Sequence, residues 1–423
     1  MELTREDKEM LEGKMGKDIQ YAMEILVKIG AAFDAKRMIN CDGAHLYSPA
    51  LYAFAFSDEE VNNNLEHVKK EKIKVRTLAT CCACVPDMEA PRQIEGFDDP
   101  YINKIQKCME IYKEMGVLLT ISCAPYLQGI LPTKGEHLEY TESSDWIFAN
   151  SVIGARSNRG GFSAQYAALT GRLPEFGMHL DYWRQANKII NVDANITTNT
   201  DVGALFFLVG KYCDQTWDVP VLTGIDKTLS MEDFKQASGA ISSSGAAAMF
   251  HIVGITPEAP HLQAVIKERR IETTFNVTQK DLENAYNDLS NATTEDIDMV
   301  VLGCPHVSIA EMKEISSILE GKTVKDGVRV WIQTVPEVKM RAKQMGYLDV
   351  IERSGANVLN NTCAIMLVHE RKTQSTMPSE VKTIATNQVK CAYFAPAQYD
   401  WGIWYGTTKE CLDAAVTGKF QKK

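Results

Sequence analysis

Met299-Val300-Val301-Leu302-Gly303-Cys304-Pro305-His306 is the stretch on which the reading of this chain turns. Its four apolar residues suit a short strand buried on both faces, and glycine and proline end that strand at once. The thiol and the imidazole that follow therefore stand just past the carboxyl end of a strand. That is the edge where open α/β sheets bind ligands.

Working outward, similar apolar runs recur at 75–78, 117–122 and 328–335, with weaker ones at 357–359 and 381–385. Helical periodicity separates them. Thr4 caps an opening helix along which Met10, Leu11, Met15, Ile19, Met23 and Leu26 recur at helical spacing. Further helices are expected at 58–70, 102–115, 231–240, 279–289, 310–319, 338–345 and 408–416. Alternating helices and near-continuous apolar strands predict an α/β chain with parallel sheets. The Gly/Ser-rich run 237–245 reads as a tight turn or ligand loop. The polar stretch 287–298 sets the domain boundary, giving an N-terminal region 1–290 and a C-terminal region 291–423.

Composition narrows the function. The 423 residues suit two to three domains, and 45% hydrophobic with 24% charged residues describes a soluble globular chain. A net charge of −10 argues against nucleic acid or an anionic membrane as the main partner. Lys69, Lys70, Lys72 and Lys74 read as a solvated helix end. The charged N-terminus carries no secretory signal, and no apolar run reaches the roughly 20 residues of a membrane span. A cytoplasmic, reducing location is expected. There, eleven cysteines are buried thiols, metal ligands or nucleophiles rather than disulfides. P-loop, zinc-helix and dinucleotide signatures are missing, and Cys81-Cys82-Ala83-Cys84 has no second Cys-x-x-Cys to complete a zinc module.

Two constellations remain. Cys123, Cys304 and Cys363 each stand just past a predicted strand. Three converging thiolates suit an iron–sulfur cluster or zinc with one position open, and unrelated buried thiols are the competing reading. The second constellation is Arg156 and Arg159, which would share a face on a helix and could fork onto a carboxylate or phosphate. A surface salt-bridge pair is the alternative there.

At these residues the chain resembles the aconitase X family, in its large subunit. The resemblance rests on Ser122-Cys123-Ala124-Pro125-Tyr126, Glu142-Ser143-Ser144, and the long string from Phe148-Ala149-Asn150-Ser151 to Arg156-Ser157-Asn158-Arg159. Gly177-Met178-His179-Leu180, Phe250-His251-Ile252-Val253-Gly254, Gly303-Cys304-Pro305-His306, Asn361-Thr362-Cys363 and Ala385-Thr386-Asn387 continue it. These motifs are collinear over essentially the whole chain.

The resemblance implies an aconitase-like multi-domain α/β architecture and a hydro-lyase. It implies an iron–sulfur cluster, of the two-iron or four-iron form, held by Cys123, Cys304 and Cys363, with iron as Lewis acid for the leaving hydroxyl. The substrate type implied is cis-3-hydroxy-L-proline or mevalonate 5-phosphate. Arg156 and Arg159 become substrate-binding candidates, supported by Asn150, Ser151 and Asn158. His306 and Lys390 become candidate catalytic groups, His306 equally suited to orient substrate or to act behind the ligands. Family members use a small swivelling domain that carries the serine proposed as base. Only Phe420-Gln421-Lys422-Lys423 follow Lys419, so that domain is expected on a separate small subunit.

The chain also departs from the family. Thr80-Cys81-Cys82-Ala83-Cys84-Val85-Pro86 replaces a Thr-Leu-Asn-Pro-like stretch, the segment 42–49 is unusual, and Gln388 stands where serine is common. These loops are expected at the pocket. A changed substrate or a non-catalytic paralogue is open on that ground, and a zinc lyase or hydrolase is the second enzyme reading.

Overall fold

The computed structural model describes residues 1–83, 86–87, 99–226, 228–363, 368–370, 374–375 and 380–421. Three parallel sheets organise them. The first orders Leu78–Cys81, Gly43–Leu46, His137–Tyr140 and Arg156–Arg159. The second orders Thr273–Val277, Lys188–Val192, Pro220–Thr223 and His251–Ile252. The third orders Asn357–Asn360, Arg329–Thr334, Met299–Leu302, Thr383–Thr386 and Gly402–Tyr405. The region read as 1–290 thus carries two of the sheets.

Met299–Leu302 is a strand over the residues expected. Its side chains alternate between two cores. Met299 and Val301 join Phe206, Phe250 and Ile403 on one face, and Val300 and Leu302 join Leu319, Val330 and Ile332 on the other. A central strand buried on both sides needs no polar face, which is why its sequence is a continuous apolar run. Successive strands leave Met299–Leu302 in one direction and then restart beside it at Thr383–Thr386. The order reverses between these two strands, and the crevice at such a switch point is where ligands bind.

Several expectations need correcting. The opening helix is two helices, Arg5–Leu11 and Lys17–Ala32, because Gly13 and Gly16 turn to φ +75° and +101° between them. The strand expected at 75–78 falls at Leu78–Cys81. The run 117–122 makes only one bridge, Leu118 to Thr80, and Ile121 then turns left-handed at φ 42°. The Thr120 hydroxyl takes over the ladder's role, donating to the Cys81 carbonyl (2.9 Å) and accepting from the Cys81 amide (3.1 Å).

The Gly/Ser run 237–245 is not a loop. It completes the helix Met231–Ser244. The Ser243 and Ser244 hydroxyls donate back to the carbonyls of Gly239 (2.7 Å) and Ala240 (3.2 Å), so burying them leaves no unmet donor. Small residues let this helix press against its neighbours. A Cβ on Gly210 of the buried helix Asn199–Lys211 would meet Ser244 Oγ at 2.0 Å, and one on Gly239 would meet Pro305 at 3.2 Å. The helix is therefore wedged against the loop that carries Cys304.

Candidate metal centre and its surroundings

The three expected thiols stand at carboxyl edges of two different sheets. Cys304 follows Met299–Leu302, and the Gly303 before it sits at φ +110° with no room for a side chain, since a Cβ would lie 2.2 Å from the Gln333 carbonyl oxygen. The Cys304 amide donates to Gln388 Oε1, so the departure at position 388 acts directly on this loop. Cys363 follows Asn357–Asn360 through Asn361, whose amide donates to the Thr334 carbonyl (2.9 Å). Cys123 follows the segment that Thr120 clips to the end of Leu78–Cys81.

The thiols interact. Contact with Cys363 and burial push the Cys304 thiol well up, and burial with Glu142 does the same to Cys123, which also senses Cys82 and Cys363. Lys390 opposes both shifts. Such thiols keep their protons until a cation enters, and metal binding would then release them.

The donor chemistry here is a set of buried, interacting thiols, of the kind a cluster or zinc takes. No three His, Cys, Asp or Glu side chains among the described residues converge tightly enough to hold one metal ion. Buried Gln333 and Thr362 also carry side-chain polar atoms with no partner among the described residues, beside the Cys304 and Cys363 loops.

Lys390 and Glu142 lie between the sheets. Glu142 caps the helix Ser143–Phe148 just past the strand His137–Tyr140, and Lys390 opens the helix Val389–Tyr399 just past Thr383–Thr386. Lys390 Nζ pairs with Glu142 Oε1, and the Cys82 thiol donates to Glu142 Oε2 at 3.3 Å. Burial works against the Glu142 charge, but Lys390 and the Cys82 and Ser144 hydrogen bonds bring its carboxyl down to about 2. Burial likewise disfavours charged Lys390, yet the Glu142 carboxylate beside it holds it well above its ordinary value. The result is an ammonium fixed beside the thiols. Cys81, by contrast, is fully buried in the apolar core of the first sheet, and Cys84 lies outside the described residues.

His306 does not face open space. It is 0% exposed, with Nδ1 3.0 Å from Ser122 Oγ and Nε2 2.9 Å from the Thr362 carbonyl oxygen. The ring, expected as a candidate catalytic group, thus stands behind the loops of Cys123 and Cys363.

The arginine pair is also corrected. Arg156–Arg159 is a strand, not a helix, so residues three apart point to opposite faces and stand about 10 Å apart along it. Arg156 lies opposite His137 at the amino edge, bonded to the His179 carbonyl (2.8 Å) and paired with Asp181. Arg159 lies opposite Tyr140 at the carboxyl edge and is exposed. Asn150, Ser151 and Asn158 are buried clamps on main chain rather than open donors. Asn150 holds the Ser157 and Ala248 carbonyls (2.9 and 3.1 Å), Ser151 accepts from the Phe250 amide (2.9 Å), and Asn158 bridges Phe176 and Met178.

Glu142, Ser122 and Thr362 join the site without having been read as site residues, while Cys82 and Gln388 lie where the departing loops were expected. Glu142 had a signal, a cap-like Glu-Ser-Ser, but the strand before it is the four-residue His-Leu-Glu-Tyr, which carries a charge in its middle.

Comparison with known proteins now bears on this arrangement. Models of the aconitase X first, second and third domains match residues 1–182, 186–287 and 297–417. The chain belongs to the aconitase X family. Each matched aconitase X segment contains one of the three sheets. The chain is 32% identical over 419 residues to the phosphomevalonate dehydratase large subunit of Methanocaldococcus jannaschii, covering 97% of this chain and 99% of that one. It is 30% identical to the cis-3-hydroxy-L-proline dehydratase of Hypocrea jecorina, covering 100% of this chain and 70% of that one. A crystal structure of Thermococcus kodakaraensis aconitase X in its holo-form superposes with a TM-score of 0.82 at 31% identity, over 97% of this chain and 100% of that one. This is an aconitase X large subunit and, like its dehydratase relatives, a hydro-lyase. No helix among the described residues is long and apolar enough to cross a membrane.

Proposed function

We propose that this chain is the large subunit of an iron–sulfur dehydratase that removes water from a small hydroxy acid. The observation that carries this reading is the placement of Cys304 and Cys363 past strand ends, and of Cys123 past the segment clipped to Leu78–Cys81, around the Glu142–Lys390 pair. These three cysteines would hold the cluster, in its two-iron or four-iron form. When bound, the cluster supplies a Lewis-acidic iron for the departing hydroxyl.

The chain's own residues do the rest of the positioning. Lys390 keeps a positive charge beside the thiols, offsetting the negative charge that deprotonated sulfurs bring to a buried site. Glu142 fixes that ammonium and prevents it from moving onto a substrate carboxylate without exchange of partners. Arg159, exposed at the same carboxyl edge as Glu142, is the arginine of the two suited to meet an anionic substrate group. The proton beside the carboxylate is assigned to a group on a separate small subunit, which relatives named as large subunits support. A thiol-rich site of this kind suits a reducing, cytoplasmic location.

Substrates of the mevalonate 5-phosphate and cis-3-hydroxy-L-proline types are both supported by relatives of similar identity. Cys82, bonded to Glu142 in a loop that departs from the family pattern, favours a second reading, a paralogue with a changed pocket. The test is anaerobic purification with the small subunit. Iron, sulfide and visible absorbance are expected in the wild type and absent in Cys304→Ser, with turnover of one of the two acids. A colourless zinc protein, or a fully loaded one without turnover on any hydroxy acid, would overturn the dehydratase reading.

A further inference from the structure

Ser122 directly precedes Cys123, Thr362 directly precedes Cys363, and His306 follows Cys304 by two residues. One imidazole joins all three loops. A carbonyl oxygen only accepts, so the 2.9 Å contact to Thr362 puts the ring proton on Nε2. With that tautomer Nδ1 is an acceptor, and the Ser122 hydroxyl donates a hydrogen bond to it at 3.0 Å. The Ser122 oxygen in turn accepts the Ala124 amide at 3.0 Å, which fixes the hydroxyl on the far side of Cys123.

The histidine is itself anchored. Lys235 Nζ donates to the His306 carbonyl at 2.8 Å and pairs with Glu311, and Lys235 is only 2% exposed. The next amide, Val307, donates to the Gln333 carbonyl at 2.9 Å. The ring therefore stands on a rigid base and reaches outward in two directions. It lies 184 residues from Ser122 in sequence, and the two loops it joins belong to different sheets.

We propose that His306 is a positioning residue that sets the three ligand thiols in register for one cofactor, by holding the main chain beside Cys123 and Cys363 while its own loop carries Cys304. This rests on the reading of those cysteines as cluster ligands. His306 is fully buried, and both its ring nitrogens are engaged by the neighbouring loops. Its two bonds replace a freedom that would otherwise let the Cys123 loop move with the first sheet, independently of the third. Outer partners of metal ligands that orient them in this way typically contribute 10- to 100-fold in metal affinity.

The experiment uses the full enzyme with its small subunit, loaded with iron and sulfide anaerobically. Iron retention against a chelator, the visible circular dichroism and electron paramagnetic resonance signatures, and the thermal midpoint are read together. His306→Phe is expected to lower apparent iron affinity about 10- to 100-fold and to alter the spectra. His306→Asn keeps an acceptor for Ser122, and His306→Gln keeps a donor that reaches Thr362, so each should retain part of the affinity. Ser122→Ala removes the hydroxyl that meets His306, together with the acceptor of the Ala124 amide, and should weaken retention even where His306→Phe fails to fold. His251→Phe serves as the contrast. That histidine is also fully buried and bonds the Arg184 carbonyl (2.8 Å), so its loss should lower the thermal midpoint and leave the iron signature alone. Wild-type retention and spectra in both His306→Phe and Ser122→Ala would overturn the inference. A wild type that never takes up iron and sulfide would instead overturn the cluster reading beneath it.

Discussion

Lys390 and Glu142 form a buried ion pair across 248 residues of sequence, joining the carboxyl edges of the first and third sheets. Their side chains are only 16% and 14% exposed. Removing one partner strands the other charge beside the thiols. Glu142→Gln is expected to cost on the order of 3–5 kcal/mol, and Lys390→Met a similar amount. The double variant should recover a good part of the loss, because neither charge is then orphaned. Urea midpoints of the four proteins measure this. If the two single losses simply add, the pair is not coupled.

Glu139 gives stability a pH dependence between 4.5 and about 7. Burial pushes its carboxyl up to about 7, with the Ser163 hydrogen bond pulling the other way, against 4.5 when free. Between those values the folded chain holds a proton that the unfolded chain has released. Stability therefore falls as pH rises through that window and levels off above it. Glu139→Gln removes the dependence and should gain on the wild type by up to about 3 kcal/mol between pH 4.5 and pH 8. Unfolding curves at both pH values check it, and an unchanged difference would show that Glu139 ionises freely.

Asp7 acts in the opposite sense. Burial raises its carboxyl, but the Arg172 hydrogen bond and those of Thr4 together bring it below 3.8. Arg172 Nε holds Asp7 Oδ1 at 2.7 Å, with Asp7 fully buried. The contribution is fully present above the unfolded value and is lost as pH falls through the lower folded one. The gap in unfolding midpoint between the wild type and Asp7→Asn should be wide at pH 6 and should shrink below pH 3.8. A constant gap would mean that the carboxylate charge contributes nothing.

Gly303 couples backbone to site. Gly303→Ala meets both a left-handed φ, costing about 1–3 kcal/mol, and the Gln333 carbonyl at 2.2 Å. Gly327→Ala is the control, with φ +85° and open space around the new methyl. Only the first should lower iron content as well as thermal midpoint. Equal iron content in the two variants would show that the Cys304 loop tolerates displacement.

The sequence was most legible where one physical requirement acted alone. Met299–Leu302 is buried on both faces and so reads as a strand without ambiguity. The thiols at 304 and 363 were legible because each follows such a strand. The run 117–122 was equally apolar, but the Thr120 hydroxyl and a turn at Ile121 replaced the ladder, and apolarity does not report either. The run 237–245 misled because glycine and serine usually mark loops, whereas here they thin a helix for close packing.

The site's polar surroundings were the least legible part. Arg156 and Arg159 formed a convincing pair only on the assumption of a helix, and strand geometry sent them to opposite edges. Asn150 and Asn158 looked like ligand donors because amides are versatile, yet both are spent on main chain inside the fold. Glu142, Ser122 and Thr362 gain their roles from contacts with residues far along the chain, and no local pattern encodes such a contact.

The division of the three thiols between the first and third sheets also has a consequence for biogenesis. A nascent chain whose first sheet has already folded presents Cys123 alone. Cys304 and Cys363 emerge from the ribosome much later, and their loops close onto Cys123 only after the third sheet has formed. On the proposed ligand set, the complete donor set exists only once the third sheet has formed, so cofactor insertion waits on that later part of the chain rather than on the first sheet.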